Sequence, residues 1–175
     1  MLRKWMVSND MEAITTLEPN PRNPFGRMLR EFLDKKIDID SGKSLALLYT
    51  ADRYEHLKSV VLPSLERGVT VISERYYYST IAYQSVLYGV DSGWIREMNR
   101  FARKPDLVIY LDISPEESIR RAKTADRHET LEFQRKISKA FGKIIREEGF
   151  VVIDGNRSRK EVFADVKKAA GKVMK

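Results

Sequence analysis

The chain has 175 residues, 42% hydrophobic and 33% charged, enough for one domain with its own apolar core. With no cysteine and two well-separated histidines, His56 and His128, it offers no disulfide and no thiolate or histidine cluster for a metal. A formal charge of +7 raises nucleic acid as a partner, but the basic residues are spread along helical patterns, and a small anionic ligand accounts for part of the surplus.

In chain order, the opening MLRKWMVSND carries charge where a signal peptide needs its apolar stretch. No apolar run anywhere approaches the roughly 20 residues of a membrane helix, which predicts a cytoplasmic protein with no membrane partner. The β-branched run AITTL (Ala13 to Leu17) reads as a first strand, followed by Glu18-Pro19. EFLDKKIDIDS then reads as a helix end and a polar loop. Gly42-Lys43-Ser44 completes the last three letters of G-x-x-x-x-G-K-[ST], yet Ile37 stands where the first glycine belongs and no strand precedes it. This is a chance match, and the 175 residues contain no Walker A loop.

VTVIS (Val69 to Ser73), DLVIYLDI (Asp106 to Ile113) and FVVID (Phe150 to Asp154) are the later strands. Helix-length patterns separate them, and this alternation predicts an α/β fold, a parallel sheet covered by helices. Ser114-Pro115-Glu116-Glu117 and Ser158 with Glu161 are helix-start signatures, so helices are expected from about Pro115 and Arg159. In the tail, Val162, Phe163, Val166, Ala169, Ala170 and Val173 recur at helical spacing, leaving the lysines on a solvated face and no role for nucleic acid.

Ligands of doubly wound sheets lie beyond the carboxyl ends of the strands. Here those ends carry Glu18-Pro19, Glu74-Arg75-Tyr76, Ser114 and Gly155-Asn156-Arg157. From the residues alone, Glu74-Arg75 reads equally as an ion pair or as an active site.

Several segments, in order, resemble the thymidylate kinases. LALLYTADRYEH resembles that family's nucleoside-binding helix, and ERYYYSTIAYQ its Asp-Arg-Tyr motif with the following Ser-x-x-Ala-Tyr-Gln. WIREMNRFARKPDLVIYLDISPEESIRRAK resembles the run into the fourth strand and lid helix, DRHETLEF the end of the lid, and FVVIDGNRS the last strand and adenine-side loop. The resemblance implies a single domain over residues 1–175 of the P-loop nucleotide-kinase type, with a lid near residues 120–130. It also implies a homodimer that transfers the γ-phosphate of ATP, with Mg²⁺, to dTMP.

The resemblance also assigns residues. Arg75 would bridge the acceptor and transferred phosphates with its planar fork of donors, and Glu74 would hold Mg²⁺ through water. Tyr49 would stack on thymine while Arg53, four residues on and on the same helix face, hydrogen-bonds a base carbonyl. From the sequence alone Tyr49 reads as core and Arg53 as a partner of Asp52 or Glu55. Tyr83 and Gln84 would flank sugar and base, and Tyr76 matches the motif tyrosine. Glu18, Arg22 and His128 complete the expected dTMP side. In the lid, Arg127 would serve the transferred phosphate, and Arg120, Arg121 and Lys123, with Asn156 and Arg157, would face ATP. No general base is needed, because the acceptor phosphate is already ionised at neutral pH.

Three departures stand out. MLRKWMVSND resembles the later turns of the family's first helix, so a strand, the phosphate loop and the helix start, roughly 20 residues, are expected upstream of Met1. Without them the 175 residues are expected to bind dTMP and not to catalyse transfer. The family's Asp-Arg is Glu74-Arg75 here, a pair that also resembles the deoxynucleoside kinases. Leu17 stands where bacterial members have arginine, with Arg22 as a substitute. A deoxynucleoside kinase, or a non-catalytic nucleotide-binding relative, is the alternative.

Overall fold

The computed structural model describes residues 1–121 and 130–173. Two compact units emerge, one of Arg3–Arg103 and one of Met1–Leu2 with Lys104–Lys175. No helix among the described residues is long and apolar enough to cross a membrane.

α1 (Leu2–Val7), whose residues from Arg3 on belong to the first unit, is tied to the next strand by a 3.0 Å bond from Arg3 Nε to the Ala13 carbonyl. Strand β1 (Ala13–Leu17) pairs in parallel with β2 (Thr70–Glu74), Ala13 opposite Thr70 and Leu17 opposite Glu74. The expected second strand is thus shifted by one residue: Val69 closes the preceding turn through the Ser64 carbonyl, and the pairing with Leu17 draws Glu74 into the ladder. Between the strands lie α2 (Pro24–Leu33) and α3 (Gly42–His56), a π-helical turn (Leu57–Val61) and α4 (Leu62–Glu66). After β2 come α5 (Tyr77–Tyr88), ended by Gly89 at φ 62°, and α6 (Ser92–Met98), capped by Asp91.

Leu29, Phe32 and Leu45 form a core cluster between α2 and α3, and Tyr49 packs against it. Buried positions on α3 run Gly42, Leu45, Ala46, Thr50, Asp52, Arg53 and His56. This is helical periodicity, so two charges and a histidine share the face that apolar residues begin. Gly42-Lys43-Ser44 is the first turn of α3, its N-terminus closed by the Ser41 hydroxyl accepting from Ser44 N.

In the second unit, β3 (Ile109–Asp112) pairs in parallel with β4 (Val151–Asp154). The helices are α7 (Pro115–Arg121), α8 (Leu131–Glu148) and α9 (Arg159–Ala170). α7 and α9 start at the proline and arginine that the capping signals mark, and Ser158 and Glu161 close a full capping box. β3 is shorter than the apolar run around it, since its ladder with β4 covers only Ile109 to Asp112. Ile137, Ile144 and Ile153 are buried in this unit, and the rings of Tyr110 and Phe141 lie 5.1 Å apart.

The start of α2 governs how the loop after β1 is held. Asn23 caps the helix by accepting from Gly26 N, and a Cβ at Gly26 would stand 1.9 Å from the Asn20 carbonyl oxygen and 2.6 Å from Oδ1 of Asp52. Neither group can retreat, because one is backbone and the other is a fully buried carboxylate. Gly26→Ala is expected to destabilise the protein by about 3 kcal/mol, the upper part of the usual overpacking range. A lower urea midpoint at unchanged slope checks this.

Candidate functional site

β1 leads into Glu18-Pro19, joined by a cis peptide bond, and its ladder carries Glu18 N onto the Glu74 carbonyl at 3.2 Å. The Glu18 side chain turns inward. It is 4% exposed and lies 2.7 Å from NH2 of Arg53, itself 1% exposed. Arg53 further donates to Oδ1 of Asn99 at 2.8 Å and to Oγ1 of Thr80 at 3.2 Å, and its guanidinium lies 5.2 Å from the centre of the Tyr76 ring. The sequence reading of Arg53 as a partner of Asp52 or Glu55 is therefore corrected: its carboxylate comes from the loop after β1. α3 faces that loop with Arg53, whereas Asp52 accepts from Asn20 N at 3.1 Å and from Asn23 Nδ2 at 2.6 Å. Burial pushes the Asp52 carboxyl up, and the Asn23 and Asn20 hydrogen bonds pull it back.

Next to this pair lies a cationic, aromatic group. Arg75, just past β2, has φ 67°, a left-handed conformation that L-residues seldom adopt and that recurs at functional positions. Its guanidinium sits 5.2 Å from the centre of the Tyr83 ring. Tyr49 adjoins the same group. Its phenol is pushed up to about 12, chiefly by burial, with the Arg75 and then the Arg30 guanidinium pulling the other way. Arg30 in turn donates to the Pro19 carbonyl at 2.8 Å. Tyr76 donates to the Arg103 carbonyl at 2.9 Å, and burial also raises its phenol. Tyr77 and Tyr78 are buried and bonded to each other, so they are core. Gln84 is buried, and its Oε1 meets no donor among the described residues.

The first unit thus gathers Glu18, Tyr49, Arg53, Arg75, Tyr76 and Tyr83, although only Tyr49 and Arg53 are helix neighbours. Arg22 is exposed, with its backbone N–H on Asn20 Oδ1. Glu74 is an exposed carboxylate at the strand end. No group of three carboxylates or histidines suited to a metal occurs among the described residues. One exposed carboxylate fits an ion that keeps most of its waters and shares substrate phosphates, as Mg²⁺ does.

In the second unit, Arg121 donates to the carbonyls of Gly155 at 2.9 Å and Asn156 at 3.3 Å, while Arg120 pairs with Glu117. The Glu117 carboxyl is held down to about 2 by the hydrogen bond from Arg120, with Arg121 adding to it. Asn156 Oδ1 accepts from Ser114 N at 3.0 Å, and Arg157 reaches Asp165. Arg120, Arg121, Asn156 and Arg157 therefore gather past β3 and β4. Lys123, Arg127 and His128 lie outside the described residues.

No sequence motif marks Arg30, His56, Thr80 or Asn99. His56, like Arg53, is a polar position on the buried stripe of α3. Nothing local marks Asn99 or Thr80, which matter only because α5 and α6 fold back beside α3.

Parallel strands flanked by helices, with arginines and tyrosines collected past their carboxyl ends, define an α/β protein suited to an anionic ligand that carries a ring. The thymidylate kinase family model matches residues 1–166. The chain is 37% identical over 175 residues to a probable thymidylate kinase of Pyrococcus abyssi, covering 95% of this chain and 84% of that protein. It is 39% identical over 163 residues to the corresponding protein of Pyrobaculum aerophilum, covering 91% and 83%. It is 32% identical over 174 residues to a thymidylate kinase of Carboxydothermus hydrogenoformans, covering 95% and 85%. The chain belongs to the thymidylate kinase family, a family of phosphotransferases with the P-loop kinase type of α/β fold.

Folding raises the Tyr49 pKa from 10.0 to about 12. Its contribution to stability is therefore whole below the unfolded value of about 10 and is lost as pH rises through the folded value. A phenolate absorbance titration of Tyr49→Phe should lack a step near pH 12 that the parent shows, while the steps near pH 10 remain.

Proposed function

We propose that this protein transfers the γ-phosphate of ATP to the 5′-phosphate of dTMP, yielding dTDP, in the cytoplasm and as a homodimer. The observation that carries the reading is Arg75, held left-handed at a strand end beside Tyr83, Tyr49 and Arg30 in a chain of this family. We read both compact units as parts of one nucleotide-kinase domain, supported by a family match that runs through both.

Phosphoryl transfer asks the protein mainly to align two phosphates and neutralise their oxygens. Arg75 supplies a planar, permanently charged fork to the acceptor phosphate and the group in transit. Arg30 adds a second guanidinium on the same side. Tyr49 offers its ring face to thymine, Arg53 a donor to a base carbonyl, and Tyr83 and Gln84 a wall against sugar and base, with Tyr76 packed behind. Glu74 would hold Mg²⁺ through water, and the ion's part would be to neutralise phosphate charge. Arg120, Arg121, Asn156 and Arg157 form the adenine and phosphate side, joined in this reading by Lys123, Arg127 and His128 of the lid. The acceptor oxygen attacks phosphorus as the bond to the ADP oxygen breaks, and no proton has to move first.

The test is binding measured separately for the two parts of the acceptor. dTMP at millimolar concentration should raise the melting temperature, because a ligand of the folded state alone stabilises by mass action. Thymidine, without the phosphate, should raise it much less; equal shifts would favour a nucleoside acceptor over dTMP. Arg75→Ala should weaken dTMP by about 10- to 100-fold, the worth of a charge-assisted hydrogen bond, and leave thymidine unchanged. In a full-length version that forms dTDP, the same substitution should lower kcat by about 100-fold or more, and Arg75→Lys should restore little of it. Near-parental turnover in Arg75→Ala would remove Arg75 from the phosphate site.

A further inference from the structure

Beneath Arg53 lies a polar chain that the phosphate chemistry does not use. The Glu18 carboxylate lies between Arg53 NH2, an ion-pair contact at 2.7 Å without hydrogen-bond geometry, and His56 Nδ1 at 3.4 Å, and the far ring nitrogen of His56 meets Thr16 Oγ1 at 2.5 Å. Glu18, Arg53 and His56 are all at least nine-tenths buried. An ionised carboxylate only accepts, so His56 must present Nδ1–H to Glu18. In the neutral ring Nε2 is then the acceptor, and the Thr16 hydroxyl donates to it. A charged ring would instead donate to Thr16, so the chemistry of the carboxylate fixes the Glu18 end alone.

The opposite side of Arg53 is equally determined. Asn99 turns its oxygen to Arg53 because its Nδ2 donates to the Ile95 carbonyl at 2.8 Å and to Thr50 Oγ1 at 3.3 Å. Both terminal nitrogens of Arg53 are engaged by groups from other elements, while its buried Nε–H meets no partner among the described residues. The guanidinium is thus clamped through both terminal nitrogens, and its Nε–H is enclosed together with them.

We infer that Glu18, His56 and Thr16 are positioning residues: they hold the Arg53 guanidinium at the angle from which it addresses the acceptor's base, and they do not touch the nucleotide. This rests on the proposed dTMP reading, in which Arg53 faces the base. Glu18 acts directly on Arg53, His56 fixes which way the carboxylate turns, and Thr16, projecting from β1, fixes the ring. The chain links strand β1 to the base-reading end of α3.

Dissociation constants for dTMP and for thymidine, measured calorimetrically or by competition, test this. His56→Ala should weaken both ligands about tenfold and by the same factor, because the base is common to both. His56→Asn, whose amide can place an N–H where Nδ1 stood, should return both to within about threefold of the parent. Unchanged affinity in folded His56→Ala overturns the inference, as does a loss that the asparagine fails to restore. If His56→Ala does not fold, Glu18→Gln decides, measured below its own, lower, melting temperature: an equal loss of about tenfold for both ligands in the folded variant supports the brace, and no loss overturns it. Arg53→Lys separates the inference from its premise. If that variant binds both ligands normally, Arg53 does not read the base; if it weakens both while the His56 and Glu18 variants bind normally, only the brace is wrong.

Discussion

The buried ion pair between Glu18 and Arg53 is the constraint around which the first unit is arranged. Two charges taken from water at 1% and 3% side-chain exposure carry a desolvation cost of several kcal/mol each, recovered only if the remaining lone pairs and N–H groups find partners. That requirement recruits His56, Thr80 and Asn99 from α3, α5 and the end of α6, and the Tyr76 ring lies over the guanidinium. The loop after β1, α3, α5 and α6 are all tied to a single arginine. Breaking the pair would leave an uncompensated buried charge, which is far more costly than never having built it. Such a pair sets geometry more than it adds stability.

The same loop is gripped a second time by Asp52, one residue before Arg53. Its carboxylate takes the Asn20 backbone and the Asn23 amide, and Asn23 caps α2, whose Gly26 leaves no room for a side chain. Adjacent residues on α3 therefore hold opposite ends of one short segment. The consequence is a stiff platform between β1 and α2, with Arg30 returning from α2 to the Pro19 carbonyl. Ordering these groups in advance lowers what must be ordered when a ligand binds.

Arg75 supplies the contrasting element. It is exposed at the surface, held in a left-handed backbone conformation, and placed over an aromatic ring instead of being locked into a carboxylate. Arg75 is partnered by a phenol, through its ring face and a side-chain hydrogen bond to Tyr83, whereas Arg53, with its carboxylate and side-chain partners, is committed to structure at most of its donors. The two arginines thus differ in setting, one buried on a carboxylate and one exposed beside an aromatic ring. In the proposed reading the first faces the base of the acceptor and the second its phosphate.

Much of this was readable in the sequence. AITTL matches β1 residue for residue, and the capping signals locate the starts of α7 and α9. These depend on local physics: β-branched side chains and a serine oxygen within reach of its own helix. The pairing of Arg53 with Glu18 rather than with Asp52 or Glu55, and the recruitment of His56, Asn99 and Thr80, were decided only by the tertiary structure. A contact between residues 27 or more positions apart leaves no periodic trace. Which carboxylate meets which guanidinium follows from the register of β1 on β2 and the face that α3 turns toward them, and both of these are settled by packing.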